Sequence, residues 1–137
     1  MIIRFSIPGA PVPKGRARIS TRGGFARAYT PQKTQRYEDL IRLAAGAAME
    51  SRPLLEGPLR ATLTAFVPIP SSLSKAKRAA AVGGSLRPTT RPDLDNYVKV
   101  IDALNGIVFK DDGQVASIIA DKFYSDRPRL ELTLEGL

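Results

Sequence analysis

Five aspartates fall within the 25-residue segment RPDLDNYVKVIDALNGIVFKDDGQV, which runs from Arg91 to Val115. Two lie near its start, two near its end and one between them: Asp93, Asp95, Asp111, Asp112 and Asp102. If the four outer carboxylates converge, like-charge repulsion opposes ionising all of them. Carboxylates without histidine or thiolate form a hard oxygen site, for which Mg²⁺ and Mn²⁺ are the natural occupants. Such ions would absorb the repulsion and bind phosphate oxygens and water at their open positions.

Each acidic pair alone has a simpler explanation. The sequence KDDG is typical of a solvated turn, and DLDN is typical of a helix start, where Asp and Asn act as N-caps and complement the helix dipole. The two pairs together indicate more. A helix from Asp95 to Asn105 rises roughly 16 Å, and an extended GIVFK segment can return at roughly 3.3 Å per residue. The spacing therefore permits the second pair to lie near the first.

Lys99 lies four residues after Asp95, on the same face of the predicted helix. It either forms a surface ion pair with Asp95 or points an ammonium group toward a scissile phosphate. Asp102 follows three residues later on that side. Asp102 either holds Lys99 in place or takes part in the chemistry itself.

The overall composition limits which side chains could carry out a reaction and indicates what kind of partner the protein binds. The 137 residues include no cysteine and no histidine, which removes disulfides, thiolate metal sites and the usual general base. Any reaction must therefore use carboxylates, lysines, hydroxyls, water or an oxygen-bound metal. With 21 Lys+Arg against 13 Asp+Glu, the net charge is +8, and a polyanionic partner is expected.

The basic residues form two segments that flank the acidic one. Eight basic residues and no acid precede Glu38, and five basic residues and no acid lie between Ser71 and Pro92. We interpret this as a nucleic-acid surface; a generally basic surface and an anionic membrane face are the alternatives. The residues expected to contact DNA phosphates are Lys14, Arg16, Arg18, Arg22, Arg27, Lys75, Lys77, Arg78, Arg87 and Arg91.

The periodicity predicts one α/β or α+β domain over residues 1–137, with helices packed against a mixed β-sheet. The expected order is β, α, β, α, α, β, β: strand 2–8, a basic loop or hairpin 9–31, helix 34–51, strand 58–68, helix 71–84, linker 85–92, helix 95–105, and strands 114–125 and 129–137 as a final antiparallel pair. No apolar run approaches the roughly 20 residues that cross a bilayer, and we read no signal peptide. We expect a cytoplasmic protein, associated with the nucleoid through DNA.

The acidic segment resembles the signature of the RusA family of Holliday junction resolvases, endodeoxyribonucleases common in bacteria and their prophages. The shared elements are an Asp-x-Asp-Asn helix start, a lysine four residues after the second Asp, an Asp-Ala-Leu, and an Asp-Asp before a strand; here they are Asp93, Asp95, Asn96, Lys99, Asp102-Ala103-Leu104 and Asp111-Asp112. The closing strands, with Lys122, also resemble the family. The N-terminal PVPKGRAR is similar to phage-type members.

The resemblance implies metal-binding roles for Asp93, Asp95 and Asp112, a supporting acid at Asp111 and a catalytic lysine at Lys99. It also implies a homodimer, since a four-way junction presents two strands related by a two-fold axis. The expected function is Mg²⁺-dependent resolution of four-way DNA in recombination and repair, with Mn²⁺ as a possible substitute.

Two other functions stay open from the sequence. One is a non-catalytic nucleic-acid-binding protein of phage origin, and the other is a metal nuclease acting on flaps, single strands or RNA. Three aromatic residues, Phe25, Tyr29 and Phe109, either stack on exposed bases at a branch point or belong to the core and the hairpin.

Overall fold

The computed structural model describes residues 1–14, 18–24, 26–29 and 31–137, with backbone only for 18–20, 22 and 27–29. The elements in chain order are β1 (Ile2–Pro8), β2 (Arg18–Ser20), β3 (Arg27–Tyr29), α1 (Gln32–Met49), β4 (Leu59–Pro68), α2 (Lys75–Gly83), α3 (Leu94–Val98), β5 (Val115–Ser125) and β6 (Arg129–Gly136). A 3₁₀ helix, Lys99–Leu104, follows α3 directly, and shorter 3₁₀ turns occur at Arg22–Gly24 and Asp112–Gln114.

Four strands form one mixed sheet in the order β1-β6-β4-β5. β6 is antiparallel to both β1 and β4, whereas β5 is parallel to β4. In β4, buried Leu59, Ala61, Leu63 and Ala65 alternate with more accessible residues, because one face of the strand lies against the core and the other does not. The predicted α+β class with a mixed sheet is confirmed.

The predicted basic hairpin and the two longer helices are also present. β2 and β3 pair antiparallel within the 9–31 region. α1 contacts β1 and the 3₁₀ helix 99–104, and it buries Tyr37, Ile41 and Ala45. α2 begins after Ser74, whose hydroxyl accepts a hydrogen bond from the Lys77 backbone N–H, and it ends at Gly84 in the left-handed conformation, which glycine adopts without steric cost.

The prediction that the last two strands form an antiparallel pair is wrong. β4 lies between β5 and β6, so residues 126–128 carry the chain across the end of β4. A three-residue link between two strands is typical of a hairpin. Here long-range pairing determines the strand order, because β6 lies between β1 and β4 and is hydrogen-bonded to both. In that position β6 buries Leu130, Leu132 and Leu134.

The helix expected over 95–105 is shorter and tighter than predicted. The α-helical turn ends at Val98, and the chain continues as the 3₁₀ helix. The following GIVFK is a turn rather than an extended return: the Gly106 N–H donates to the Phe109 carbonyl at 2.7 Å and the Ile107 N–H donates to Leu104 at 3.0 Å. The turn allows Val108 and Phe109 to enter the core directly after Leu104.

Among the residues whose side chains the structure describes, Phe109 is the largest that is fully buried, with no exposed surface. Its backbone also forms isolated β-bridges with Leu55 and Asn105. Phe109 is therefore a core residue, and the suggestion that it stacks on DNA bases is wrong.

We expect Phe109→Ala to lower the free energy of unfolding by about 3–5 kcal/mol, because it removes a buried aromatic ring and leaves a cavity. Leu43, 72% exposed on α1, provides the control, and Leu43→Ala should change stability by less than about 0.5 kcal/mol. Urea denaturation followed by circular dichroism measures both. Equal unfolding midpoints for the two variants would contradict the central position of Phe109.

Candidate active site

Asp93 and Asp95 lie at the start of α3. Asp93 occupies the N-cap position with an extended backbone, but its side chain makes no capping hydrogen bond. Asp95 lies in the first turn, and both carboxylates are exposed. Asp93 therefore does not play the local capping role that its position suggested, although both charges complement the positive end of the helix dipole.

Lys122 on β5 holds the segment that leads into Asp93. Its ammonium donates to the carbonyl oxygens of Thr90 and Pro92, each at 3.0 Å. Together with Arg91, Pro92 and Tyr97, Lys122 lines a cavity of about 120 Å³. Burial raises the pKa of the Tyr97 hydroxyl above its ordinary value. These contacts fix the approach of the linker to α3.

Lys99 projects from the first residue of the 3₁₀ helix. Its Nζ donates to Asn96 Oδ1 at 3.2 Å and lies 4.0 Å from Asp95 Oδ2. Both side chains of this ion pair are more than half exposed, so it contributes little to stability. The ammonium is held near the start of α3 and stays accessible to a ligand.

The second acidic pair lies in a tightly bonded turn. Asp111 Oδ2 accepts from the Gly113 N–H at 3.2 Å, and the Gln114 side-chain oxygen accepts from the backbone N–H groups of Lys110 and Asp111. A Cβ on Gly113 would come within 2.7 Å of that Asp111 oxygen, so any larger residue would push the Asp111 carboxylate out of its present position. Asp111 thus acts as a capping residue of this turn.

One hydrogen bond orients the Asp112 side chain, and two more fix the turn that carries it. Asp112 Oδ1 accepts from Asn105 Nδ2 at 3.3 Å. Gln114 Nε2 donates to the carbonyls of Leu55 and Gly57 at 3.0 and 3.1 Å, which ties the turn to the start of β4. Both acids of the pair are exposed.

A cavity of about 230 Å³ brings Lys99 and Asp112 together. The lining residues are Val98, Lys99, Ile101, Asp102, Asp112, Val115 and Ile118. The spacing argument permits the two acidic pairs to lie near each other, whereas this cavity brings Asp112 together with Lys99. Asp93, Asp95 and Asp111 are not among its lining residues, whereas Asp102 is.

The cavity residues that could bind a metal ion are Asp102 and Asp112. Carboxylate oxygens are ligands that suit Mg²⁺. Within the described ranges, however, no three His, Cys, Asp or Glu side chains lie close enough to hold a metal ion together. The expected convergence of three or four carboxylates is therefore not present in this arrangement of side chains. The metal-binding roles of Asp93, Asp95, Asp111 and Asp112 stay predictions.

Two of the basic residues expected to contact DNA make specific contacts within the protein. Lys14 Nζ lies 2.9 and 2.7 Å from the two carboxylate oxygens of Asp102. Arg87 donates to Asp121 Oδ1 and to the Lys122 carbonyl, and its guanidinium lies 3.7 Å from the centre of the Phe123 ring. Local sequence gave no signal for these pairs, because they join residues 34 to 88 positions apart.

The other expected DNA contacts divide into two groups. Lys75, Lys77, Arg78 and Arg91 have exposed side chains on α2 and in the linker before Asp93. For Arg18, Arg22 and Arg27 the structure describes only the backbone, and Arg16 lies outside the described residues, as does Phe25. The side chain of Tyr29 also lies outside the description.

Comparison with known proteins identifies the family of this chain. Residues 8–135 match the family described as endodeoxyribonuclease RusA, so the chain belongs to the RusA family. The chain is also 41% identical, over 137 aligned residues, to the uncharacterized protein YqaN of Bacillus subtilis (strain 168). The alignment covers 96% of this chain and 94% of YqaN.

Family membership supports nuclease activity of the Holliday junction resolvase kind. RusA resolvases act on four-way DNA junctions in recombination and are generally dependent on a divalent metal. No helix in the described part of the chain is long and apolar enough to cross a membrane.

Replacing Lys122 by Met should lower the free energy of unfolding by about 1.5–3 kcal/mol, because two carbonyl groups lose a charged donor. Lys122→Arg retains the charge and should recover part of that loss. Lys33→Met removes an exposed lysine of α1 and serves as the control in the same thermal and urea measurements. If Lys122→Met is as stable as Lys33→Met, Lys122 does not hold the linker.

Proposed function

We propose that this protein is a Mg²⁺-dependent, structure-selective endodeoxyribonuclease that resolves four-way DNA junctions by hydrolysing phosphodiester bonds. The observation that carries the proposal is the cavity shared by Lys99 and Asp112, in a chain that belongs to the RusA family. Phosphodiester hydrolysis uses both kinds of group that meet at this cavity. The ammonium stabilises negative charge on the phosphate, and the carboxylate binds a cation or accepts a hydrogen bond.

Asp93, Asp95 and Asp112 would hold the metal, with Asp111 as a supporting acid and Mn²⁺ able to replace Mg²⁺. When bound, the ion would supply an activated water and stabilise charge on the reacting phosphate. Assembly of the site would require the exposed side chains at the start of α3 to turn toward Asp112. Their exposure leaves them that rotational freedom, and the fixed backbones of both acidic turns set the limits of the movement.

Lys99 acts on the phosphate in this proposal. Its ammonium is accessible, and its two local contacts, to Asn96 and Asp95, are exposed and weak. A phosphoryl oxygen that gains negative charge in the transition state would be a stronger partner than either. Lys99 can therefore exchange its resting contacts for the reacting phosphate.

The exposed basic residues of α2 and the linker, together with the arginines of the N-terminal region, would contact DNA phosphates. Such contacts position DNA without reading its sequence and make binding fall steeply as salt rises. The two-fold arrangement of a four-way junction favours a homodimer that presents two such sites. The role would lie in recombination and repair, in the host or in a resident prophage.

We expect Asp112→Asn to bind four-way junctions but to lose cleavage by orders of magnitude in Mg²⁺. Asparagine keeps the oxygen that accepts from Asn105, so the turn should stay intact while the charge is lost. Asp126→Asn, at an exposed acid of the link between β5 and β6, is the control and should cleave normally. Full cleavage by Asp112→Asn would remove that residue from the site.

The same assay should include four-way, flap, duplex and single-stranded DNA and single-stranded RNA, each with Mg²⁺ and with EDTA. Preferential cleavage of the four-way junction, abolished by EDTA, supports the proposal. Preferential cleavage of another substrate would instead indicate a different metal nuclease. Tight binding with no cleavage of any substrate, unchanged by Asp112→Asn, would indicate a non-catalytic DNA-binding protein.

A further inference from the structure

Lys14 joins three separate parts of the fold beside the candidate active site. Its ammonium makes a two-oxygen contact with Asp102 on the 3₁₀ helix, at 2.9 and 2.7 Å, and lies 3.9 Å from Glu38 on α1. Its backbone N–H donates to the Asn96 carbonyl of α3 at 2.9 Å. These contacts tie Lys14 to α3, the 3₁₀ helix and α1 at once.

The Lys14 pair is better shielded than the other ion pairs of the site. The Lys14 side chain is 27% exposed, and those of Asp102 and Glu38 are 39% and 9% exposed, against 52% and 72% for Lys99 and Asp95. Glu38 also lies 3.4 Å from Arg42, so its buried charge is compensated from two sides. A shielded pair with two-oxygen geometry keeps its arrangement better than a solvated surface pair.

Lys99 is a second candidate ion-pair partner for Asp102, but the two side chains do not pair. In a 3₁₀ helix, residues three apart lie on the same side, which places Asp102 next to Lys99, and both line the cavity that contains Asp112. Among the described residues, Lys99 nevertheless pairs with Asp95 and Asn96, not with Asp102. Both oxygens of Asp102 are already occupied by Lys14.

We propose that Lys14 is a positioning residue, which neutralises Asp102 and so keeps Lys99 available for the DNA phosphate. The inference rests on the proposed function, since it gives Lys99 a substrate to act on. Without Lys14, the Asp102 carboxylate would bind Lys99 on the same helix and withdraw it from the reacting phosphate. Cleavage would then fall although Lys14 never touches DNA.

This role differs from direct DNA contact in one measurable way. If Lys14 acts through Asp102, removing the Asp102 charge as well should restore activity. If Lys14 binds a phosphate, its loss weakens DNA binding, and Asp102→Asn cannot repair it. A double-mutant cycle therefore separates the two roles.

The experiment compares the wild type, Lys14→Met, Asp102→Asn and the double variant, with Lys33→Met as a charge-loss control. Three quantities are measured: single-turnover cleavage of a four-way junction in Mg²⁺, junction Kd in EDTA, and thermal midpoint. We expect Lys14→Met to slow cleavage by about 10- to 100-fold and the double variant to regain most of that loss. Junction Kd should change by less than about threefold in every variant, since binding precedes the step that Lys99 assists.

A second readout does not depend on catalysis. Reductive methylation of Lys99, followed by peptide mass spectrometry in EDTA without DNA, reports whether its amine is engaged. Methylation should slow in Lys14→Met and return to the wild-type rate in the double variant.

The outcomes separate this inference from the proposed function. A wild-type protein that cleaves no four-way junction overturns the proposed function, and the methylation pattern then still decides whether Lys14 controls Lys99. A wild type that cleaves, with a double variant as slow as Lys14→Met or a Kd that weakens in parallel with cleavage, overturns the inference alone. Unchanged Lys99 methylation in Lys14→Met overturns it as well.

Discussion

Burial of the chain between the two acidic pairs is the constraint on which the site depends. Six apolar side chains within ten residues are 5% exposed or less: Val100, Ile101, Ala103, Leu104, Val108 and Phe109. The five larger side chains each contribute about 1.5–3 kcal/mol by leaving water, and Ala103 contributes less. Because residues 100–109 are fixed in the core, the polar residues that flank them lie at the edge of the core. Lys99 begins the buried stretch and Asp112 follows it closely, and for that reason they meet at one cavity without any direct bond between them.

The sequence predicted the features that depend on local pattern and missed those that depend on distant pairing. Alternation in β4 follows from which side faces the core, and the structure shows it. In α1, the spacing of Tyr37 and Ile41 indicates burial and both are buried, whereas Leu40, which the same spacing placed with them, is 52% exposed. The sheet order differed because a short link after Ser125 resembles a hairpin, whereas pairing between Leu59–Phe66 and β6 decides the topology. Helix propensity alone did not reveal the 3₁₀ winding after Val98, since it depends on how the buried Val100, Ile101 and Leu104 pack in the core beside α1.

In the candidate site, too, features set by local sequence could be predicted and those set by distant contacts could not. Chain length permits the two acidic pairs to lie near each other, but it could not show that Lys99, rather than Asp93 or Asp95, would share a cavity with Asp112. Asp111 is used to cap a turn, Asp102 pairs with a residue 88 positions away, and Lys122 bonds to carbonyls rather than to acids. A positive net charge therefore overstates the surface offered to DNA, because several of the cations are already engaged in holding the acidic region together.

The position of β6 has a consequence for how the protein forms during synthesis. β1 and β4 do not touch each other in the sheet; each is bonded to β6, which comes last in the chain. Until residues 129–136 have emerged from the ribosome, two strands with apolar faces stay without their central neighbour. Such non-local pairing slows folding and leaves nascent chains open to association with other strands. The nascent protein therefore exposes one edge of β1 and one edge of β4 until its final strand arrives to cover them.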